Sequence, residues 1–212
     1  MKTQTRIASL SLLTILCLML AVTPAMADTL YSNGLYNGNT AAWGIDGGNA
    51  VTDSINLNSS RSNVYEVDFV YWDASTSDLL TTVDMSIGST PFGTDIFSGT
   101  LTGFTNTFLG TNQYGYALLQ AGAATYDVAA GTASIYLTLS NACTTSGCST
   151  NPIYWDENSG PSTAYDNTLG SIPSEAFTLI GTSGTTPEPS SIMLFGSGIL
   201  GLAVILRRRL MG

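Results

Sequence analysis

Apolar and polar residues alternate along much of this chain. Tyr65, Val67, Phe69 and Tyr71 fall on one face of an extended segment. Glu66 and Asp68 take the other face, together with Val64, Val70 and Trp72. A period of two is that of a half-buried β-strand. Val83, Met85 and Ile87 alternate with Asp84 and Ser86 in the same way, and Ile135, Leu137 and Leu139 with Ser134, Tyr136, Thr138 and Ser140. Shorter strand candidates lie at 96–104, 114–119, 124–129, 153–156 and 176–180, separated by Gly, Asn, Pro and Ser clusters of the kind turns require. No stretch between residues 28 and 186 keeps a helical period, and no internal repeat suggests a solenoid or propeller. The pattern predicts an all-β domain, an antiparallel β-sandwich with jelly-roll-like winding.

The two ends read differently. Lys2 and Arg6 precede an apolar run over 7–22 and then Ala25-Met26-Ala27. A basic start, an apolar middle and small residues before a cleavage point make 1–27 a secretory signal peptide, cut before Asp28. An uncleaved anchor is the alternative, less suited to the small-residue site. Cys17 lies inside the apolar run and serves to fill it. At the other end Pro187-Glu188-Pro189 is followed by an apolar run over 192–206 and by Arg207, Arg208 and Arg209. As a helix the run spans about 22 Å, against about 30 Å of bilayer hydrocarbon. Snorkelling arginines close part of the gap, and they hold the cytoplasmic side. We expect a transmembrane helix at 192–206; a buried core helix is the alternative for so short a run.

This tail, residues 187–212, resembles the PEP-CTERM sorting signal of Gram-negative bacteria. A lone Pro-Glu-Pro is weak evidence. Joined to the apolar run, the basic stop and the terminal position, it is specific. The resemblance implies processing by an exosortase, a membrane-embedded cysteine transpeptidase. It also implies an inner-membrane-tethered precursor, and a cell surface or extracellular matrix of exopolysaccharide as destination.

What remains is a domain over 28–180 and a short linker over 181–186, flexible by composition. Of the 15 acidic residues all but Glu188 lie between 28 and 186, against a single basic residue, Arg61. Such a segment offers no basic stripe for phosphates, which excludes nucleic acid as a partner. Solubility accounts for the acidity, and attraction of Ca²⁺ is the sharper alternative. The chain has no histidine, so Ser-His-Asp and Cys-His catalysis are excluded. Trp43, Trp72, Trp155 and the 10 tyrosines argue for a folded β domain over a disordered one. Cys143 and Cys148 bracket four residues, and in an exported protein we expect them to form a disulfide.

The densest candidate site is Tyr154-Trp155-Asp156-Glu157-Asn158. A ring packing on a sugar face beside acids and an amide is the chemistry of a carbohydrate-binding module. The alternative is a strand ending in a turn, with Trp155 in the core, and Asp166 and Asn167 fit either picture. Two-carboxylate glycoside hydrolysis needs no histidine. Asp156 and Glu157 are adjacent, however, and Glu66 and Asp68 share a face expected to be largely solvated. Asp46-Gly47-Gly48-Asn49 is a fragment of a calcium loop, better read as a turn. No phosphate loop, haem motif or nucleotide fingerprint is present, so no cofactor and no metal are expected. The domain is also similar to an ectodomain found in other PEP-CTERM proteins, on Ser86-Ile87-Gly88-Ser89-Thr90-Pro91-Phe92-Gly93, Asn112-Gln113-Tyr114-Gly115-Tyr116 and Tyr154 to Asn158. That resemblance implies a location and no mechanism. The expectation is an exported surface or matrix protein, structural and not an enzyme, with carbohydrate binding and glycoside hydrolysis as alternatives.

Overall fold

A computed structural model describes residues 28–38, 40–57, 61–131, 134–148, 151–183 and Gly198. The expected signal peptide, the Pro-Glu-Pro motif and the three arginines lie outside these residues, as does all of 192–206 except Gly198. Among the described residues no helix is long and apolar enough to cross a membrane. The regular elements between 28 and 183 are strands. The first seven are Asp28–Ser32 (β1), Ala42–Gly44 (β2), Ala50–Asn56 (β3), Arg61–Asp73 (β4), Leu80–Gly88 (β5), Phe97–Thr102 (β6) and Thr105–Thr111 (β7). Then come Ala117–Gly131 (β8), Ser134–Thr144 (β9), Gly147–Cys148 (β10), Tyr154–Asp156 (β11), Ala164–Asp166 (β12), Gly170–Ile172 (β13) and Phe177–Ser183 (β14).

They form two antiparallel sheets of seven strands each. In the first, β4 pairs with β8 along one edge, and β8 in turn with β7. The other edge of β4 is shared by β14, which carries β1, and by β11, which carries β2. The second runs β13-β12-β3-β9-β5-β6, with the short β10 folded back on β9. The chain alternates between sheets, so that β3 pairs β9 in one and β4 pairs β8 in the other.

One hydrophobic core joins both sheets. Val67, Phe69, Tyr71, Leu119, Trp155 and Leu179 enter it from the first, and Val51, Met85, Ile87, Leu101, Leu137 and Leu139 from the second. The alternating faces of β5 and β9 therefore point as their sequences predict. On β4 the outcome differs at one end. Against β14 the pairing passes from Glu66–Ile180 to Val64–Gly181, a bulge that leaves Tyr65 as one extra residue on β4. Val64 is fully buried, while Tyr65 turns aside and its hydroxyl hydrogen-bonds Thr182 at 2.9 Å. The candidate at 124–129 and the end of the one at 114–119 belong to the single strand β8, while Tyr114 to Tyr116 lie in the turn before it. The segment expected as linker begins inside β14, which continues to Ser183 and pairs Gly181 with Val64. Gly181 sits at a register shift where an added Cβ would overlap the Asn63 carbonyl, so its glycine serves a close approach and not flexibility.

Phe69 lies at the centre of the core, with ring centroids 6.1 Å from both Phe104 and Trp155 and 6.3 Å from Tyr71. Phe69→Ala is expected to lower unfolding free energy by about 3–5 kcal/mol in a denaturant titration. A loss under about 1 kcal/mol would contradict this placement.

Candidate functional site

The five residues singled out at β11 are brought together, but not as a sugar platform. Trp155 is 0% exposed. Its ring packs against Phe69 and Phe177, and its indole N–H donates to the Ala176 carbonyl at 3.0 Å. A ring with no exposed surface has no face to offer a ligand. Tyr154 and Asp156, one residue to either side, point to the outer face of the sheet, as strand alternation requires. Asp156 is buried there beneath the loop after β1, accepting from the backbone N–H groups of Asn37 at 3.0 Å and Gly38 at 3.1 Å. It also accepts from the Trp72 indole N–H at 2.5 Å. Asn158 is a clamp: its amide donates to the Asn33 carbonyl at 2.6 Å, and its oxygen accepts from Ser174 Oγ at 2.7 Å and Gly160 N at 2.9 Å. Glu157 is buried and bridges Glu175 through backbone pairing.

Asp166 and Asn167 are turn residues. Asp166 accepts from Thr168 and Leu169 in the β12–β13 turn, and Asn167 ties that turn to Gly48 and Ala50. Gly47 and Gly48 have positive φ in the Asp46–Asn49 segment, which closes as a turn with Asn49 N donating to the Asp46 carbonyl. The cysteine pair forms the expected disulfide, Cys143–Cys148, closing the β9–β10 hairpin.

Aromatic chemistry does reach the surface, at other residues. On the outer face Tyr154 lies across from Trp72. Tyr114, 57% exposed, stacks on Trp72 at 5.9 Å. Tyr116 lies 6.0 Å from Trp72 and meets Tyr154 edge-on at 5.8 Å. The turn between β7 and β8 positions them, because Asn112 Oδ1 accepts from the N–H groups of both Tyr114 and Tyr116. Asn112-Gln113-Tyr114-Gly115-Tyr116 was visible in the sequence, but what brings it over Tyr154 is pairing between distant strands.

A second group escaped sequence reasoning. Asp53 sits on β3 between Val51 and Ile55, so its side chain enters the core face. The signal was present: a carboxylate at the apolar phase of Val51-Thr52-Asp53-Ser54-Ile55. Its Oδ2 accepts from the Asn33 amide at 3.0 Å and from Glu175 N at 2.7 Å. Glu175 beside it is 0% exposed, and neither of its carboxyl oxygens has a hydrogen-bond partner. Burial, then the nearby Asp53 carboxylate, holds Glu175 well above the usual carboxylate range. Burial likewise pushes Asp53 and Asp156 up to about 6 each, against the hydrogen bonds they accept. A buried carboxyl without a cation neutralises itself by keeping its proton. On the outer face burial also raises Asp68, and the neighbouring Glu66 raises it further.

Residues 185–209 match the PEP-CTERM protein-sorting motif. The chain is thus an exported protein carrying the signal on which an exosortase acts. No curated protein matches it.

The raised acids bind protons more tightly in the folded than in the unfolded state. Their burial carries no penalty below the unfolded value of 3.8 and the full penalty above the folded value of about 6, so stability falls as pH rises between them. For Asp53, from 3.8 to about 6 is on the order of 3 kcal/mol. Asp78 and Asp166 are held below the usual range by hydrogen bonds that outweigh burial, and they act oppositely, only in stronger acid. The thermal midpoint is expected to be higher near pH 4.5 than near pH 7.5, and Asp53→Asn to flatten the difference. A midpoint that climbs over this interval refutes the assignment.

Proposed function

We propose that this protein is a non-enzymatic component of the cell surface or exopolysaccharide matrix, delivered there by exosortase processing of its C-terminal tail. The sorting-motif match at 185–209 carries the reading. The nested pairing of β3 with β9 and β4 with β8 supports jelly-roll-like winding for the delivered domain. The placement of its acids supports a role other than hydrolysis. Glycosidases hold two carboxyls roughly 5 Å or more apart across an accessible bond. Asp68 instead lies beside Glu66 and accepts from Gln120 Nε2, Asp53 and Glu175 are sealed from solvent, and Asp156 holds backbone and indole N–H groups. Deleting residues 187–212 is expected to abolish the membrane-tethered precursor and shift the protein's distribution in cell fractionation. Unchanged distribution rejects the sorting role. Release of reducing sugar from the cell's own polysaccharide by the purified protein would restore the hydrolase alternative.

A second reading, carbohydrate binding, is favoured by one observation: Tyr114 presents an exposed ring backed by Trp72. Stacking on a supported aromatic face is a common means of holding a pyranose. In affinity electrophoresis through the exopolysaccharide, Tyr114→Ala should bind roughly fivefold more weakly than wild type, the value of about 1 kcal/mol. Equal retardation of both removes this surface from consideration.

A further inference from the structure

The second sheet carries a cavity of about 390 Å³ on its outer face, on the opposite sheet from the Tyr114 surface. Strand register builds its floor. Ala50, Ser140, Asp84 and Thr100 stand side by side across β3, β9, β5 and β6, and the next outward row includes Thr138, Ser86 and Ser98. Their odd-numbered neighbours Val51, Leu139 and Met85 face the core. The loop between β5 and β6 folds back to form the roof. Gly88 permits this, because a Cβ there would overlap the Gly93 backbone. Asp95 accepts from Ser89 N at 2.9 Å, Gly93 N donates to the Thr90 carbonyl at 2.9 Å, and Ile96 N to the Ile87 carbonyl at 3.1 Å. Phe92 and Thr94 line the cavity from this loop, and Phe92 N donates to Thr52 Oγ1 at 3.4 Å.

Two details set this cavity apart from an ordinary surface dimple. Phe92 has φ 59°. A bulky side chain in the left-handed region is an outlier, and such strain collects at ligand clamps. Asp84 is held in place: Thr100 Oγ1 donates to one oxygen at 2.5 Å and Asn141 Nδ2 to the other at 2.9 Å. Asn141 reaches it from a left-handed position, φ 50°, at the register shift between β9 and β5. Each carboxylate oxygen keeps a second lone pair for a further donor.

We propose that this cavity binds a neutral saccharide of one or two rings. Ser86, Ser98 and Ser140 supply hydroxyls that donate and accept, while Thr100 and Thr138, whose hydrogens go to Asp84 and Thr52, supply acceptors; together they complement a polyol. Asp84 accepts from sugar hydroxyls, and the Phe92 ring covers an apolar sugar face. No cationic side chain lines the cavity, which disfavours anionic ligands. The volume lies at the small end of the range for small-molecule sites, about 300–1,000 Å³. The proposal goes beyond the functional readings above and does not depend on the tyrosine surface.

The test is saturation-transfer NMR on the full chain in a non-glycosidic detergent, with glucose, galactose, mannose, N-acetylglucosamine, cellobiose and glucuronate as probes. Wild type is expected to bind at least one neutral sugar, and more tightly than glucuronate. Phe92→Gly removes the ring where glycine is unstrained, so binding should fall roughly tenfold while the thermal midpoint holds or rises. Asp84→Asn should also weaken binding, and it decides the matter if the glycine variant fails to fold. Tyr114→Ala should leave binding at this site unchanged. Absence of neutral-sugar binding by wild type, preference for glucuronate, or wild-type affinity in both Phe92→Gly and Asp84→Asn overturns the proposal.

Discussion

Strand β4 has partners on both edges, and the domain is arranged around meeting that need. Its buried N–H and C=O groups have no water to turn to, so each requires a partner from a neighbouring stretch of the chain. β8 serves one edge along its whole length. The other edge is divided between β14 and β11, so residues 154–156 and 177–183 must both arrive before β4 is complete. Phe69 and Tyr71 point from β4 into the core, while Trp72 points out to Asp156. One strand thus fixes both the apolar interior and the polar clamp over the first sheet.

The clamp and the core meet in a set of carboxyls with unusual surroundings. Between residues 28 and 186 the acids face a single basic residue, Arg61. Burying Asp53 and Glu175 in such a chain leaves proton retention as the way to avoid an unpaired interior charge. The hydrogen bonds around Asp53 and Asn33 then tie β3, of the second sheet, to the approach to β14, of the first. Polar groups here determine how one end of the sheet pair closes, a matter that non-directional apolar packing leaves loose.

Much of the fold was legible because period-two alternation on β5, β9 and most of β4 reports a buried face directly. It failed where the backbone departs from that period. The bulge at Tyr65 exchanged its role with Val64, and the bulge glycine Gly181 read as a linker. β7 escaped notice because Thr105–Thr111 has no buried face to advertise. For the candidate site, the alternative that placed Trp155 in the core is the one the structure shows: it faces away from its neighbours in the chain. The outward-facing rings are exposed Tyr114 and half-buried Tyr116 and Tyr154, and only the β4–β8 and β4–β11 pairings bring them together. The disulfide was readable since a hairpin-sized loop leaves two cysteines little choice.

The end of β14 has a consequence for the protein's handling. Pairing runs to Ser183, and the sorting motif starts at residue 185. Four residues from Ser183 to Pro187 reach at most about 14 Å when fully extended. The folded domain is therefore held on a short leash, close against whatever enzyme engages the tail. An enzyme that needs more slack gains it by peeling Ser183 and Thr182 away from Ser62 and Asn63. Only Gly184 lies between the last paired residue of β14 and the sorting motif.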